Sequence, residues 1–485
     1  MRHTEVPEGG RASCGRVPPG VPPGRGRGTL PAAMPQPLAL SERPRLRLFT
    51  LCALYAAQGI PWGFVYVTLK AWLGDAGLSI DSIGEVLALG GLPWVFKPLW
   101  GPVIDAVGAT SYGRRRPWIL AAQLGMVATI AAMLAIPDLE TSVVVLGWMV
   151  FTHNVFNSLQ DVSVDALAVD LLPESERGKA NGLMYGSKYG GGAIGGAGMA
   201  TLAGVVGLKG ALVFQVVILG LIMLLPLLLL ERPGERRFPW EPKPDVPRGA
   251  QGESTGLARG LDTARALLKA FSLRSTLVGA LFAWIIHIPV GVLSALGAVF
   301  FVQHLAWSKE LYAQVEGGPA LLAGLLASIA GGFLADRFGR RRVVSVAVIA
   351  AGLLAVGFSF AEPMWGNKVF VSGFMIVDAA CVGLVSVGLF ALFMDISWPK
   401  VAATQFTTYM ALLNFSTTTG QKLAGKVEEW NLEYAEVFLF AGLFQLVTVG
   451  LIAFIDPGQT RRELGDGTGP TRGDPAAAIP GAPVG

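Results

Sequence analysis

The chain has 485 residues, of which 52% are hydrophobic and only 15% charged, and its mean hydropathy is +0.53. One soluble core could not bury that much apolar surface, so much of it must face a lipid bilayer. The net charge of +4 comes from short Lys and Arg clusters between apolar runs, which is typical of topology signals and excludes nucleic acid as the expected partner. Three scattered cysteines, Cys14, Cys52 and Cys381, support neither a disulfide framework nor a thiolate metal site.

The first 45 residues are rich in Pro, Gly and Arg and contain no apolar stretch long enough for a signal-peptide core. We predict that residues 1–45 form a disordered cytoplasmic tail. The same is expected of residues 457–485 at the other terminus.

Charged residues and Gly/Pro breaks divide the rest into about twelve apolar segments, each near the 20 residues that a membrane helix needs. The sequence therefore predicts an all-α membrane protein. The predicted spans are 48–71, 83–105, 117–136, 142–170, 179–206, 210–230, 273–302, 312–336, 343–361, 368–395, 403–424 and 435–455.

A polar stretch, residues 232–272, separates the sixth span from the seventh and predicts a cytoplasmic linker between bundles at 46–231 and 273–456. Within the linker, apolar residues fall roughly on one side of a helix that could lie on the membrane surface. These residues are Leu257, Leu261, Leu268 and Phe271.

Basic residues mark one side of the membrane. Arg43, Arg45 and Arg47 precede span one, and the triplet 114–116 follows span two, whereas alternate loops carry mainly acidic residues. By the positive-inside rule, both termini should be cytoplasmic.

A repeat supports the division into two groups of six. Each copy follows the second helix of its half, keeps its glycines and its aspartate at one spacing, and runs into arginines. The copies are Gly101, Asp105, Gly108 and Arg114, and then Gly332, Asp336, Arg337, Gly339 and Arg340. This loop resembles the signature loop of the major facilitator superfamily, and the resemblance implies two pseudo-symmetric six-helix bundles with these residues at the gate.

Every third span is nearly free of polar residues. Spans three, six, nine and twelve hold only isolated glutamines, namely Gln123, Gln215 and Gln445. In the facilitator fold the corresponding helices pack outside, while one, four, seven and ten line the cavity.

Span four carries a polar stripe. At 100° per residue, Asn154, Asn157, Asp161 and Asp165 fall within an arc of about 80°. A carboxylate in the hydrocarbon core normally faces a wet cavity and often serves as a proton site, so we predict that Asp161 and Asp165 take part in coupling. The alternative is that both merely pair with Arg177 or Lys179.

Other polar residues also lie inside predicted spans. Lys97 and Lys188 are candidates for a substrate anchor or a partner of Asp161, and Lys97 is close enough to a helix end to snorkel. Asp378 is a further candidate for proton coupling. The remaining candidates for the substrate site are Gln58, Asn157, His287 and Asn414.

No Walker-type phosphate loop, hydrolase elbow or zinc signature occurs in the sequence. We therefore expect no enzyme activity, no cofactor and no metal. An ion gradient is the expected energy source.

Three segments resemble the muropeptide permease and acetyl-coenzyme A transporter family. They are 91–100 with Asp105, 160–178 with its Gln-Asp pair, and 403–406. The resemblance implies proton-driven uptake of cell-wall fragments in bacteria, with siderophore or coenzyme A cargo in other members. We predict a monomer in the bacterial inner membrane that takes up an amphiphilic or anionic solute with protons. The segment 113–118 is similar to sugar-proton symporters, which makes a sugar symporter one alternative. A drug exporter of the same fold and a non-transporting receptor are the others.

Overall fold

The computed structural model describes residues 38–107, 110–139, 142–238, 240–241 and 256–465. Side chains are described throughout these ranges except at 105–107, 174–175, 177–178 and 256–261. Within the described ranges every regular element is a helix. The predicted tail at the N-terminus lies almost wholly outside them.

Eight helical stretches are long and apolar enough to cross a bilayer. One of these, Lys179–Leu228, is 50 residues long and breaks at Gly207, whose φ of 77° and ψ of 166° are not helical, so it supplies two crossings. Three further helical stretches have the length but carry polar or irregular positions: Ile80–Val107, Val143–Leu171 and Ala402–Leu423. The described ranges therefore contain twelve spans, as the sequence predicts.

The spans are labelled α1 to α12 in chain order. They are α1 Pro44–Asp75, α2 Ile80–Val95 with Trp100–Val107, α3 Arg116–Met133, α4 Val143–Leu171, α5 174–206, α6 208–228, α7 Arg274–His304, α8 Lys309–Phe338, α9 Arg340–Phe360, α10 Lys368–Ile396, α11 Ala402–Leu423, and α12 Tyr434–Thr448 with Val449–Phe454. A linker helix, Gly256–Phe271, lies between α6 and α7, and a short helix, Gln459–Leu464, follows α12.

Each half of the molecule has its own apolar core. In the first half, Leu54, Ile119 and Val164 pack together from α1, α3 and α4. In the second half, Phe282 of α7 and Leu389 of α10 belong to the corresponding cluster. A third and larger cluster contains residues of both halves, such as Phe64 of α1 and Phe300 of α7. The linker helix packs its buried Ala266 and Ala270 against the α10–α11 turn.

The two ends of the bundle differ in charge. The basic end carries the arginines before α1 and those of the α2–α3 and α8–α9 loops, and the acidic end carries Asp75, Asp81 and Glu428. The names basic end and acidic end are used below for these two faces.

The halves meet at the acidic end. There α5 and α8 cross so closely that a Cβ on Gly317 would lie 2.5 Å from the Ala197 nitrogen, which explains why glycine stands at this position. Gln303 of α7 also donates hydrogen bonds of 2.8 and 2.9 Å to the carbonyl oxygens of Gly74 and Leu78. Every hydrogen bond or ion pair identified between the halves, within the described ranges, lies from mid-membrane toward the acidic end.

The α2–α3 loop is fastened to the end of α6. Glu231, only 4% exposed, accepts backbone N–H bonds from Arg114 at 3.0 Å, Arg115 at 2.6 Å and Arg116, and thereby caps the start of α3. The Arg116 guanidinium donates to the carbonyl oxygen of Leu227 at 2.7 Å. The basic loop is therefore an ordered joint between α3 and α6.

Candidate functional site

A cavity of about 570 Å³ lies between the two halves. Residues of both halves line it, from α1, α2 and α5 on one side and from α7 to α12 on the other. They include Trp62, Tyr66, Trp94, Lys188, Tyr189, Glu316, Asp378 and Asn414. The wall is largely apolar and aromatic, with a few polar groups, which is the usual composition of a small-molecule site.

Lys188 of α5 faces this cavity and is also tied to Asp161 of α4. Its Nζ lies 3.7 Å from Asp161 Oδ1 and 5.1 Å from the centroid of the Trp94 ring. The side chain remains 27% exposed, whereas that of Asp161 is 5% exposed. Lys188 therefore connects a buried carboxylate to the open space between the halves.

Lys97 of α2 is the second cation on Asp161 and contacts its Oδ2. The same Nζ lies 3.8 Å from Asp165 Oδ2, and the Tyr55 hydroxyl of α1 donates to the other oxygen of Asp165. Two lysines and two aspartates thus form one charge cluster, the tetrad, of formal charge zero. A neutral cluster is the arrangement that makes ionised groups tolerable inside a membrane.

The local fold of α2 places Lys97 in the tetrad. The α-helix ends at Val95, Phe96 leaves helical geometry at φ −88° and ψ 0°, and a single 3-10 turn begins at Lys97. Pro98 favours this break because it has no N–H to continue the helical hydrogen bonds. The break brings a long cation inward at the level of Asp161.

Asp161 and Asp165 pair with Lys97 and Lys188, in contrast to the alternative of Lys179 or Arg177. Lys179 is exposed near the start of α5. The Arg177 side chain lies outside the described residues. The tetrad thus joins three helices of the first half, α2, α4 and α5.

The candidates for the substrate site separate into two groups. Lys188 and Asn414 line the cavity, and the Asn414 amide donates to the Trp94 carbonyl oxygen at 3.4 Å across the halves. Gln58, Asn157 and Lys97 do not belong to the described cavity wall. Gln58 and Asn157 are fully buried in the first half, and neither amide has a hydrogen-bond partner within the described part of the chain.

His287 lies apart from the main cavity as well. It occupies the break between the two helical pieces of α7, beside a small pocket that also contacts Gln445. Its Nε2 has no hydrogen-bond partner among the described groups. Asp378, by contrast, lines the cavity from α10, and no residue in the described part of the chain forms an ion pair with it.

The residues predicted to form the gate lie at the basic end where the structure describes them. Gly339 has a φ of 90° and forms the turn from α8 to α9, where only glycine is unstrained. Arg340 then pairs with Asp395 of α10, and Asp336 is exposed. In the first copy, Gly101 lies in the second piece of α2, while Gly108 and the Asp105 side chain lie outside the described residues.

Sequence reasoning missed two functional candidates. Lys70 and Glu316 form an ion pair of 2.6 Å between α1 and α8, and Glu316 lines the cavity. Each lies near the end of its span, where charged residues commonly face the membrane–water interface, so the sequence gives no reason to place either inside the protein. The only available signal was that both are charged residues within five to eight positions of an acidic-end loop.

This combination of twelve helices, two halves and a charged cavity between them is that of a secondary transporter. The model of the Major Facilitator Superfamily matches residues 51–421, and the chain belongs to that family. It is therefore an integral membrane transporter of a non-enzyme family.

Individual relatives narrow the comparison. The chain is 26% identical over 421 residues to the anhydromuropeptide permease of Escherichia coli strain K12. The alignment covers 84% of this chain and 78% of the relative. It is 23% identical to a Rickettsia felis protein named as an AmpG transporter, over 84% of this chain and 96% of that protein. The resemblance to the muropeptide permeases is thereby confirmed.

Solved structures share the fold. A D323A mutant of the nucleoside transporter NupG superimposes with a TM-score of 0.66 at 15% identity, covering 84% of this chain and 100% of that one. A D-xylose-proton symporter gives a TM-score of 0.63 at 12% identity, covering 85% and 99%. At these identities the likeness establishes the fold alone.

Proposed function

We propose that this protein is a proton-coupled importer of an anionic, amphiphilic solute of the anhydromuropeptide type. It works as a monomer in the bacterial inner membrane with both termini in the cytoplasm. The observation that carries the proposal is that Lys188 is shared between a buried carboxylate, Asp161, and the cavity.

The shared lysine supplies a mechanism of coupling. When Asp161 is ionised, it holds the charge of Lys188 in the tetrad. A proton on Asp161 removes one negative charge, so Lys188 needs another anion, and a carboxylate of the solute can provide it. Proton binding and solute binding thus favour each other, which is the linkage that symport requires.

The cavity wall supports the solute class. Trp62, Tyr66, Trp94 and Tyr189 give it broad ring faces, which suit sugar rings and apolar groups. Lys188 adds one positive charge to this wall. A relative named as an anhydromuropeptide permease, aligned over most of both chains, agrees with a solute that combines sugar rings with carboxylates.

Alternating access follows from the arrangement of the halves. With the basic end in the cytoplasm, contacts at the acidic end close the periplasmic side, and the cavity faces inward. Residues 46–231 and 273–456 would then rock as two bodies about the cavity, with residues 232–272 as a cytoplasmic connection.

Uptake by purified protein in liposomes tests the proposal. A panel of an anhydromuropeptide, D-xylose, a nucleoside and a coenzyme A ester would be offered with the pH gradient on and off. We expect saturable uptake of the anhydromuropeptide alone, enhanced by an acidic exterior. Uptake of D-xylose in its place would favour the sugar symporter, and no uptake of any member would contradict the proposal.

The orientation has its own test. Impermeant maleimide would be applied to intact cells carrying a single cysteine at exposed Trp430 or at exposed Lys400. We expect labelling at position 430 and protection at position 400. The reverse pattern would place the termini outside.

A further inference from the structure

A second buried ion pair lies outside the tetrad and joins the two halves. Lys70 of α1 is 1% exposed, and its Nζ lies 2.6 Å from Glu316 Oε1 of α8. The same nitrogen lies 5.4 Å from the centroid of the Tyr312 ring. Lys70 is thus enclosed by the second half while belonging to the first.

Glu316 faces the cavity as well as Lys70. It lines the cavity wall, its side chain is 29% exposed, and its Oε2 is buried without a hydrogen-bond partner among the described groups. A buried carboxylate oxygen without a donor is costly, and a ligand with an N–H or O–H group can satisfy it. The carboxylate therefore uses one oxygen for Lys70, and its other oxygen, covered in this state, gains a donor from a solute only when the side chain turns toward the cavity.

The helices around this pair carry π-helical turns. In the described ranges such turns occur at Phe64–Leu69, Ile194–Gly198, Val299–His304 and Glu316–Ala320. All four lie toward the acidic end of α1, α5, α7 and α8, which are helices that bring the halves together there. The Thr68 hydroxyl lies 2.8 Å from the carbonyl oxygens of Gly195 and Gly196, which ties the turns of α1 and α5 together. Single π turns interrupt regular helical bonding and are common at functional sites.

We propose that Glu316 is shared between Lys70 and the transported solute, so that solute binding loosens the ion pair that closes the acidic end. Lys70 is desolvated only while the halves are together. Removing Glu316 leaves this buried charge unpaired in the closed state, whereas the open state solvates it, and removing Lys70 leaves a partly exposed carboxylate without its partner. A donor group of the solute on Oε2 competes with Lys70 for the same carboxylate and acts in the same direction. The solute part of this inference rests on the proposed function.

Spin-label distance measurements across the acidic end test the inference. Labels on cysteines at Ala76 and Trp430, both exposed and in opposite halves, report the separation of the halves in protein whose native cysteines are replaced. The variants are Glu316→Gln and Lys70→Met, singly and together. Lys422→Gln is the matched control, because Lys422 and Glu85 also bridge the halves at 3.2 Å but are 59% and 50% exposed.

We expect Glu316→Gln to raise the ratio of open to closed protein about tenfold or more, because it leaves the buried Lys70 unpaired. Lys70→Met should raise the ratio less, but still more than the control, because Glu316 keeps 29% of its side chain exposed. The double variant should return to within about threefold of the parent, since no unpaired charge remains. The control should change the ratio by less than about twofold, as exposed ion pairs contribute little. If the single variants change the open-to-closed ratio no more than the control does, the ion pair does not hold the acidic end closed. The same conclusion follows if the double variant is as open as the single variants.

Adding an anhydromuropeptide tests the role of the solute separately from the role of the ion pair between Lys70 and Glu316. In the parent protein it should raise the open fraction, and in Glu316→Gln it should raise it no further. A different outcome is that the anhydromuropeptide leaves the open fraction of the parent unchanged while the variants still open. In that case the proposed solute and its contact with Glu316 are wrong, whereas the closing role of the ion pair is supported. If the peptide opens Glu316→Gln as much as the parent, Glu316 does not contact the solute. Should one single variant fail to fold, the other single and the double decide the same question.

Discussion

Asp161 holds two lysines at once, and only one of them reaches the cavity. In the proposed mechanism this asymmetry gives the two lysines separate roles. Lys97, from the break in α2, contacts both Asp161 and Asp165, whereas Lys188 exchanges Asp161 for the solute. One protonation event then changes both the charge of the cluster and the availability of the cation.

The variant Asp161→Asn should separate solute exchange from accumulation. Asparagine resembles the protonated acid, so solute exchange should stay within about threefold of the parent. Accumulation driven by a pH gradient should fall to a ratio of about one, because the variant carries no titratable proton. Counterflow and gradient-driven uptake in liposomes measure the two quantities. Parallel loss of both with a lower melting temperature would indicate a structural role, and unchanged accumulation would move the coupling site to Asp378.

The variant Lys188→Gln should weaken solute binding about tenfold or more, because a hydrogen bond to a charged group is lost. The fold should survive, since Lys97 still pairs with Asp161. Lys179→Gln, an exposed change on the same helix, is the control and should leave binding unchanged. Calorimetric titration with an anhydromuropeptide measures the affinity. Equal affinity in both variants would remove Lys188 from the substrate site.

Helices differ in how readily the sequence reveals them. Hydropathy identifies α9 and α10 because their apolar windows have mean hydropathies of 2.4 and 2.3. It underestimates α4 and α11, where polar residues facing the interior lower the mean, and charge patterning and the repeat recover them. The structure adds what no periodicity encodes, namely the break in α2 at Phe96 and the π turns, since both depend on contacts with other helices.

Site residues follow the same rule. The stripe on α4 was predictable because helical geometry fixes which residues of one helix share a face. The pairing of Asp161 with Lys97 and Lys188 joins three helices, and the sequence alone also allowed Lys179. Glu316 was missed because its partner belongs to the other half of the molecule. Helix-to-helix register is therefore the part that sequence reasoning could not supply.

At the α8–α9 loop, Asp336→Ala should slow transport about tenfold and leave solute binding within about twofold, because Asp336 lies at the basic end away from the cavity. Asp105→Ala should behave alike if the repeat has one function in both halves. Asp262→Ala, at a 76% exposed position of the linker helix, is the control and should change neither quantity. Binding lost in proportion to transport would place Asp336 in the substrate site.

The joint between α3 and α6 should respond to pH. Glu235 accepts the backbone N–H of Glu231 at 2.9 Å beside this joint. Burial, and next the charge of Glu231, raise the pKa of Glu235 to about 7. A carboxyl whose pKa is raised in the folded state favours folding at low pH, and this contribution is lost as the pH rises toward 7. The melting temperature of the parent should therefore fall more than that of Glu235→Gln between about pH 5 and pH 8. Identical pH dependence of the two proteins would show that Glu235 is not held in its neutral form.

At the scale of the whole molecule, the tetrad and the ion pair of Lys70 and Glu316 act at different steps of the proposed transport cycle. The tetrad lies within the first half and can change charge without moving a helix, whereas Lys70 and Glu316 separate only when the halves do. Solute in the cavity can contact both Lys188 and Glu316, one from each half. In the proposed mechanism, solute in the cavity therefore weakens the ion pair of Lys70 and Glu316, and protonation of Asp161 couples transport to the proton gradient.

The most direct measurement of the central claim is the accumulation ratio of an anhydromuropeptide in liposomes that contain only this protein. With the exterior acidic, we predict an internal concentration above the external one, collapse of the difference when a protonophore is added, and acidification of the lumen that depends on the solute. Simple equilibration to equal concentrations, unaffected by the pH gradient or the protonophore, would contradict proton-coupled transport.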